Sequence, residues 1–189
     1  MYTFFANLAR IILRATGKIE VKNKHCLPAD GGYVVTCSHT GWLDVAVLGI
    51  SMPRPVHFMA KQELFRRKGI SAILYKINAF PINRENPSPS SIKTPVKLLK
   101  SGKIVGIFPS GTRTAEEVPA KRGAVTIANL ARVPIVPAIY EGPGTFKAWL
   151  KVRKATLTFG EPFYVESARK DQIGIYVERL TVEPSRNIG

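Results

Sequence analysis

Residues 32–48 read Gly32-Tyr33-Val34-Val35-Thr36-Cys37-Ser38-His39-Thr40-Gly41-Trp42-Leu43-Asp44-Val45-Ala46-Val47-Leu48. The apolar run at the start, rich in aromatic and β-branched residues, predicts a strand over Gly32–Cys37. Thr40-Gly41 can turn the chain, and Leu43–Ser51 reads as a helix. Strand, tight turn and helix in that order form the repeating unit of an α/β sheet. The same stretch raises a chemical question. His39 and Asp44 stand five residues apart between two segments that read as buried. Each is costly to bury unless it is paired or used.

Outward from this unit the rhythm repeats. Further strands are expected at Lys18–Lys22, Val56–Ala60, Phe80–Asn83, Ile104–Pro109, Ile135–Tyr140 and Ala155–Gly160. Helices are expected at Glu63–Ile77, Ser90–Lys100, Gly123–Ala131 and Asp171–Leu180. The alternation predicts an α/β fold with a mixed, largely parallel sheet flanked by helices. No internal repeat or linker divides it. Asn86–Ser91 is the one Pro/Ser-rich piece and reads as a loop. At 189 residues, 45% hydrophobic and 22% charged, the chain can build a proper core. The expected organisation is a helix over 1–17 followed by a single α/β domain over 18–189.

The first helix has its own character. Tyr2, Phe4, Phe5, Leu8, Ile11, Ile12 and Leu13 mostly recur at helical spacing, punctuated by Arg10, Arg14 and Lys18. Such a helix can lie in a membrane interface with its cations near lipid phosphates. A helix packed on its own domain would share the pattern, and the two roles can coexist. No apolar run reaches the length of a spanning helix. The net charge of +15 favours an anionic partner: nucleic acid, an anionic membrane or a phosphorylated ligand. Two cysteines, Cys26 and Cys37, give no disulfide framework, no CxxC pair and no Cys/His metal spacing. Cys37 reads as a buried thiol in a reducing compartment.

In α/β sheets, sites collect where strands give way to helices. On one continuous helix, a five-residue offset would turn His39 and Asp44 about 140° apart. A turn at Gly41 lets Asp44 sit in the first helical turn and fold back onto the imidazole. That carboxylate would fix the ring tautomer and make the other ring nitrogen a better base. Ser38 and Cys37 are nearby nucleophiles, but neighbouring strand residues face opposite ways. A substrate hydroxyl is the simpler partner. A surface histidine and a helix-capping aspartate would give the same letters. Lys61 follows the next strand and would either meet an anion or stay solvated. Arg84 ends Phe80-Pro81-Ile82-Asn83-Arg84 and suits bidentate phosphate binding. Phe108-Pro109-Ser110-Gly111-Thr112-Arg113 takes a buried strand into a glycine turn and a cation, as anion cradles do. It approaches a nucleotide P-loop, but Thr112 and Arg113 stand where lysine and serine or threonine are required.

Taken together, these blocks resemble the glycerolipid acyltransferase family typified by bacterial 1-acylglycerol-3-phosphate acyltransferase (PlsC-like). His39–Asp44 matches its H-x4-D box, and Phe80–Arg84 its arginine block. Phe108–Arg113 matches its F-P-E-G-T-R block, Val133–Pro137 its V-P-x-x-P block, and Lys61 its K-x-E-L lysine. The resemblance covers about residues 30–165, and the order and spacing of the blocks make it specific. It implies acyl transfer from acyl-CoA or acyl carrier protein to the free hydroxyl of lysophosphatidic acid, forming phosphatidic acid. In that scheme His39 is the general base, oriented by Asp44. Lys61, Arg84 and Arg113 hold the acceptor phosphate. The backbone and side chains of Ser110, Gly111 and Thr112 line the loop. No metal or cofactor is implied. The basic surface would face an anionic membrane and an acidic carrier protein, with the protein peripheral on the cytoplasmic face of the cell membrane. One departure stands out: the block's glutamate is Ser110 here, which puts another lysolipid acceptor in second place. A nucleic-acid-binding module would want a basic stripe with interleaved aromatics, and here the cations are scattered. A non-catalytic membrane-surface protein leaves the His39–Asp44 pair unexplained.

Overall fold

The computed structural model describes residues 2–83, 89–108 and 117–165. Helix α1 (Tyr2–Thr16) leads into β1 (Lys18–Lys22), β2 (Tyr33–Cys37), α2 (Trp42–Ser51) and β3 (Val56–Lys61). Then come α3 (Lys68–Lys76), β4 (Phe80–Ile82), α4 (Pro89–Lys100), β5 (Ile104–Ile107) and α5 (Glu117–Ala131). The last elements are β6 (Ile135–Glu141), α6 (Phe146–Val152) and β7 (Lys154–Phe159). The strands form one seven-stranded sheet in the order β1-β7-β6-β2-β5-β3-β4. Only β6 and β7 pair antiparallel; every other neighbouring pair is parallel. The mixed, largely parallel sheet expected from the sequence is thus the sheet observed. Each strand lies within two residues of its expected ends. The helix expected at Asp171–Leu180 falls outside the described residues.

Strand β2 is central and buried along its whole length, so its side chains feed two apolar layers. Tyr33, Val35 and Cys37 point to the layer covered by α1, α2 and α3, and Val34 points to the layer under α4 and α5. The alternation follows from the two-residue period of a strand.

Three elements differ from expectation. The helix expected over Glu63–Ile77 is broken into a 3-10 turn, Gln62–Arg66, and α3, with Arg67 extended between them. On one uninterrupted helix Phe65 and Leu74 would point to opposite sides, at about 100° per residue. The break lets Leu64, Phe65, Ile70, Leu74 and Ile77 all pack on the same core. Helix α5 starts six residues before Gly123, at Glu117, and Pro119 is tolerated in its first turn, where N–H groups have no helical partner. No helix was expected where α6 stands. It forms because Thr145 caps it, accepting from the Ala148 N–H at 3.3 Å, and because Trp149 is wholly buried. The Trp149 indole N–H donates to Thr16 Oγ1 at 2.8 Å, which ties α6 to the end of α1.

Helix α1 packs one side on the domain. Leu13 is buried, Ala6 and Ala9 pack on the core, and the Arg10 guanidinium donates to the Ile50 carbonyl at 2.8 Å. The other side leaves Phe4 and Ile11 two-thirds exposed, with Leu8 and Ile12 beside them. Among the described residues, no helix is long and apolar enough to cross a membrane.

Candidate active site

Strands β2, β3, β4 and β5 all run the same way, so their carboxyl ends open on one edge of the sheet. His39 lies two residues beyond β2, and Lys61 is the last residue of β3. Arg84 and the block Ser110, Gly111, Thr112 and Arg113 follow β4 and β5 but lie outside the described residues.

The turn at Thr40-Gly41 brings the separated pair together. His39 Nδ1 stands 3.2 Å from Asp44 Oδ1. Asp44 is the third residue of α2 and completely buried, whereas the His39 side chain is 40% exposed. Asp44 Oδ2 accepts the backbone N–H of Thr40, the Thr40 hydroxyl at 3.2 Å, and the Gly41 N–H at 2.9 Å. The last bond is one half of a capping box, an acid in the first helical turn reaching back to the entering chain. Burial alone would raise the pKa of Asp44. The hydrogen bonds from His39, Thr40 and Gly41 outweigh it and hold the carboxyl below its ordinary value. Asp44 is therefore a fixed anion. It faces Nδ1 of the His39 ring, and the ring's other nitrogen lies on the far side from the carboxylate.

The turn is clamped from β6. Ser38 Oγ accepts the Tyr140 N–H at 2.9 Å, and Leu43 N–H donates to the Gly144 carbonyl at 3.2 Å. Gly41 and Gly144 touch so closely that a Cβ on Gly41 would lie 2.2 Å from Gly144 O, and one on Gly144 2.5 Å from Thr40 O. The φ of 170° at Gly41 is ordinary extended backbone, so glycine is required there by the close approach. Tyr140 holds the clamping loop in turn, its hydroxyl donating to the Pro143 carbonyl at 2.9 Å. Tyr140, Pro143 and Gly144 were not singled out from the sequence. The only signal was Gly142-Pro143-Gly144 after a strand, which reads simply as a turn.

The clamp also settles which nearby groups are inert. Cys37 is buried, and its thiol pKa is pushed far above its ordinary value, first by burial and then by the Asp44 charge. Ser38 Oγ is engaged by both backbone groups of Tyr140. Neither is placed to be activated by His39. His57 sits at the start of β3 and is half-buried, with burial pulling its pKa down; it packs in the strand, away from the pair.

Beside His39 lies an apolar cavity of about 280 Å³. Phe108 stands 5.2 Å from the imidazole, ring centre to ring centre, and Phe58 continues the wall at 5.9 Å from Phe108. Trp42, Leu64, Leu74 and Ala79 close other sides, and Lys61 lies at its margin. Gly106 leaves room for Phe58, since a Cβ there would lie 2.7 Å from that ring.

Comparison with known proteins places this geometry in context. The acyltransferase family model matches residues 18–141. The chain is 56% identical over 165 residues to the 1-acyl-sn-glycerol-3-phosphate acyltransferase of Bacillus subtilis, covering 87% of this chain and 83% of that one. It is 35% identical over 173 residues to the protein of the same name from Streptococcus pneumoniae, covering 89% of this chain and 65% of the relative. The crystal structure of the 1-acyl-sn-glycerophosphate acyltransferase PlsC from Thermotoga maritima has a TM-score of 0.68 at 20% identity. That alignment covers 96% of this chain and 80% of the other, a likeness of fold.

Proposed function

This chain belongs to the PlsC-like glycerolipid acyltransferase family, and from that premise we propose that it acylates 1-acylglycerol-3-phosphate to phosphatidic acid, with His39 as the base. The observation that carries the mechanism is the His39–Asp44 pair at 3.2 Å, set beside an apolar cavity. The free hydroxyl of the acceptor attacks the thioester carbonyl of acyl-CoA or acyl carrier protein. Nε2 of His39 takes the hydroxyl proton as the new C–O bond forms. Asp44 keeps the ring in the required tautomer and stabilises the imidazolium. The C–S bond then breaks, and the proton passes to the departing thiolate. The inert state of Cys37 and Ser38 supports direct transfer without an acyl-enzyme.

Lys61, Arg84 and Arg113 bind the acceptor phosphate, and the Ser110-Gly111-Thr112 backbone serves phosphate or oxyanion. No metal or cofactor takes part. The acyl chain lies in the cavity walled by Phe58 and Phe108. The exposed apolar side of α1 seats the protein peripherally on the cytoplasmic face of the cell membrane, with its cations against anionic headgroups. Deleting residues 1–16 should weaken binding to anionic vesicles several-fold; unchanged binding would move the contact elsewhere.

The deciding assay is acyl transfer to lysophosphatidic acid from labelled acyl-CoA and acyl-carrier-protein donors. Phosphatidic acid made by the wild type and lost in His39→Ala supports reaction and base together, and the productive donor identifies the carrier. Ser110→Glu restores the family's carboxylate. Turnover of a different lysolipid alone would favour the second reading, another acceptor, which Ser110 motivates.

A further inference from the structure

At the far end of the sheet a second polar cluster has no part in acyl transfer. β7 runs antiparallel to β6, so its carboxyl end lies away from His39. β1 pairs with β7 in parallel, with Lys22 opposite Thr158. Three or four residues beyond each of these positions the chains meet again. On one side, Asn23 adopts a left-handed conformation (φ 55°), and the 3-10 turn Lys24–Cys26 follows. On the other side, Glu161 comes two residues after β7 ends. His25, Cys26 and Glu161 thereby offer one ligand atom each, all within 4.8 Å of one another.

We propose that His25, Cys26 and Glu161 form a binding site for a borderline transition-metal dication of the Zn²⁺ type, remote from the acyl-transfer site. The donor set is one thiolate sulfur, one imidazole nitrogen and one carboxylate oxygen. That mixture suits Zn²⁺ or Co²⁺ and not the oxygen-seeking Mg²⁺ or Ca²⁺. A tetrahedral ion with bonds of about 2.0–2.3 Å needs donor atoms about 3.4–3.6 Å apart. Cys26 Sγ and Glu161 Oε1 already stand 3.3 Å apart, and a nitrogen of the exposed His25 ring lies within 4.8 Å of both. Cys26 is buried while His25 and Glu161 are exposed, so an ion arrives from solvent and keeps a water in its fourth position.

Without the ion, the thiol shares its proton with the carboxylate. Binding replaces that proton: Cys26–SH and M²⁺ become Cys26–S⁻–M²⁺ and one released H⁺, so affinity rises with pH. The ion would tie the β1–β2 connection to the end of β7, and binding to the folded chain alone would raise its stability. Sequence spacing could not suggest this, because Cys26 and Glu161 lie 135 residues apart.

The test is titration of the reduced, chelator-stripped full chain with Co²⁺, read by absorbance. The expected result is uptake of one ion per chain with a thiolate-to-cobalt charge-transfer band, displaced by Zn²⁺. Cys26→Ser should abolish the band, and His25→Ala, a change at an exposed side chain, should weaken binding at least tenfold while leaving the far-ultraviolet circular dichroism unchanged. Zn²⁺ should raise the melting temperature of the wild type and not of Cys26→Ser. Absence of the band, or a band that survives both substitutions, overturns the proposal. Binding without thiolate character overturns it equally.

Discussion

The two faces of the sheet are built from the same strands and differ in what they leave unfilled. Beneath α5, Ala124, Val125, Ile127, Ala128 and Ala131 meet Val34, Val105, Ile107 and Ile135, and every one is buried. Small helix residues let the backbone come close, so that layer closes without a cavity lining His39. On the opposite face α2 and α3 are shorter than α4 and α5. α2 begins only after the Thr40-Gly41 turn, and α3 is set apart from the preceding 3-10 turn by Arg67. The space left between them is the cavity beside His39, walled by Phe58 and Phe108. One face is closely packed, and the other trades some packing for an open apolar cavity beside His39.

Substitutions on the two faces should separate those roles. The largest effect belongs to the chemical face. His39→Ala should lower acyl transfer by about 10³-fold or more, within the range for a lost general base, while the denaturant midpoint stays near that of the wild type. A variant retaining more than a tenth of the activity would remove His39 from the proposed role. On the closed face, Ile127→Ala should cost about 2–5 kcal/mol of stability, read by urea unfolding, because Ile127 is wholly buried. The acyl-chain preference of the surviving folded enzyme should not change. A changed preference would mean that the two layers are coupled through the sheet.

Much of this division was legible in the sequence, and its gaps have physical causes. The strands were readable because β-branched runs bounded by turns have few alternatives. The His39–Asp44 contact followed from one glycine, since only a turn at Gly41 brings a five-residue offset onto one side. Helix α6 was hidden because its surface is cationic and its one core contact, Trp149, acts across 133 residues to Thr16. The break at Arg67 was hidden for a similar reason: only the core shows that Phe65 and Leu74 must face the same way. Glu161 and Gly144 owe their places to strand register, which local periodicity does not contain. The phosphate-binding role proposed for Arg84 and Arg113 rests on the sequence and its family resemblance alone.

Gly144 tests the boundary between the faces. It touches neither the cavity wall nor the sheet layers, yet its carbonyl receives the Leu43 N–H and its Cα abuts the Thr40–Gly41 turn. Gly144→Ala should push that turn away substantially, since its Cβ would otherwise sit 2.5 Å from the backbone oxygen of Thr40. The expected result is about a tenfold or greater fall in kcat, with KM for the acyl donor little altered, because misplacing a positioned base costs rate more than binding. Equal falls in kcat and stability with a raised KM would mark the contact as scaffold alone.

The smallest effect expected is also the most specific. Ala79 follows the left-handed Asn78 (φ 58°) and is held by its N–H bond to the Leu74 carbonyl at 2.8 Å, so its backbone is fixed where it lines the cavity. Ala79→Leu would fill part of the space beside Leu74 and Ile77. Each methylene accepted or refused by an apolar pocket is worth about 1–3 kcal/mol of discrimination. The ratio of kcat/KM for short over long acyl donors should therefore rise by about tenfold, with His39 chemistry on the short donor intact. Leu74→Ala, which enlarges the same space, should move the ratio the other way. If both variants shift the ratio in one direction, the acyl chain does not lie along this wall, and the contrast between an open face and a closed one loses its functional meaning.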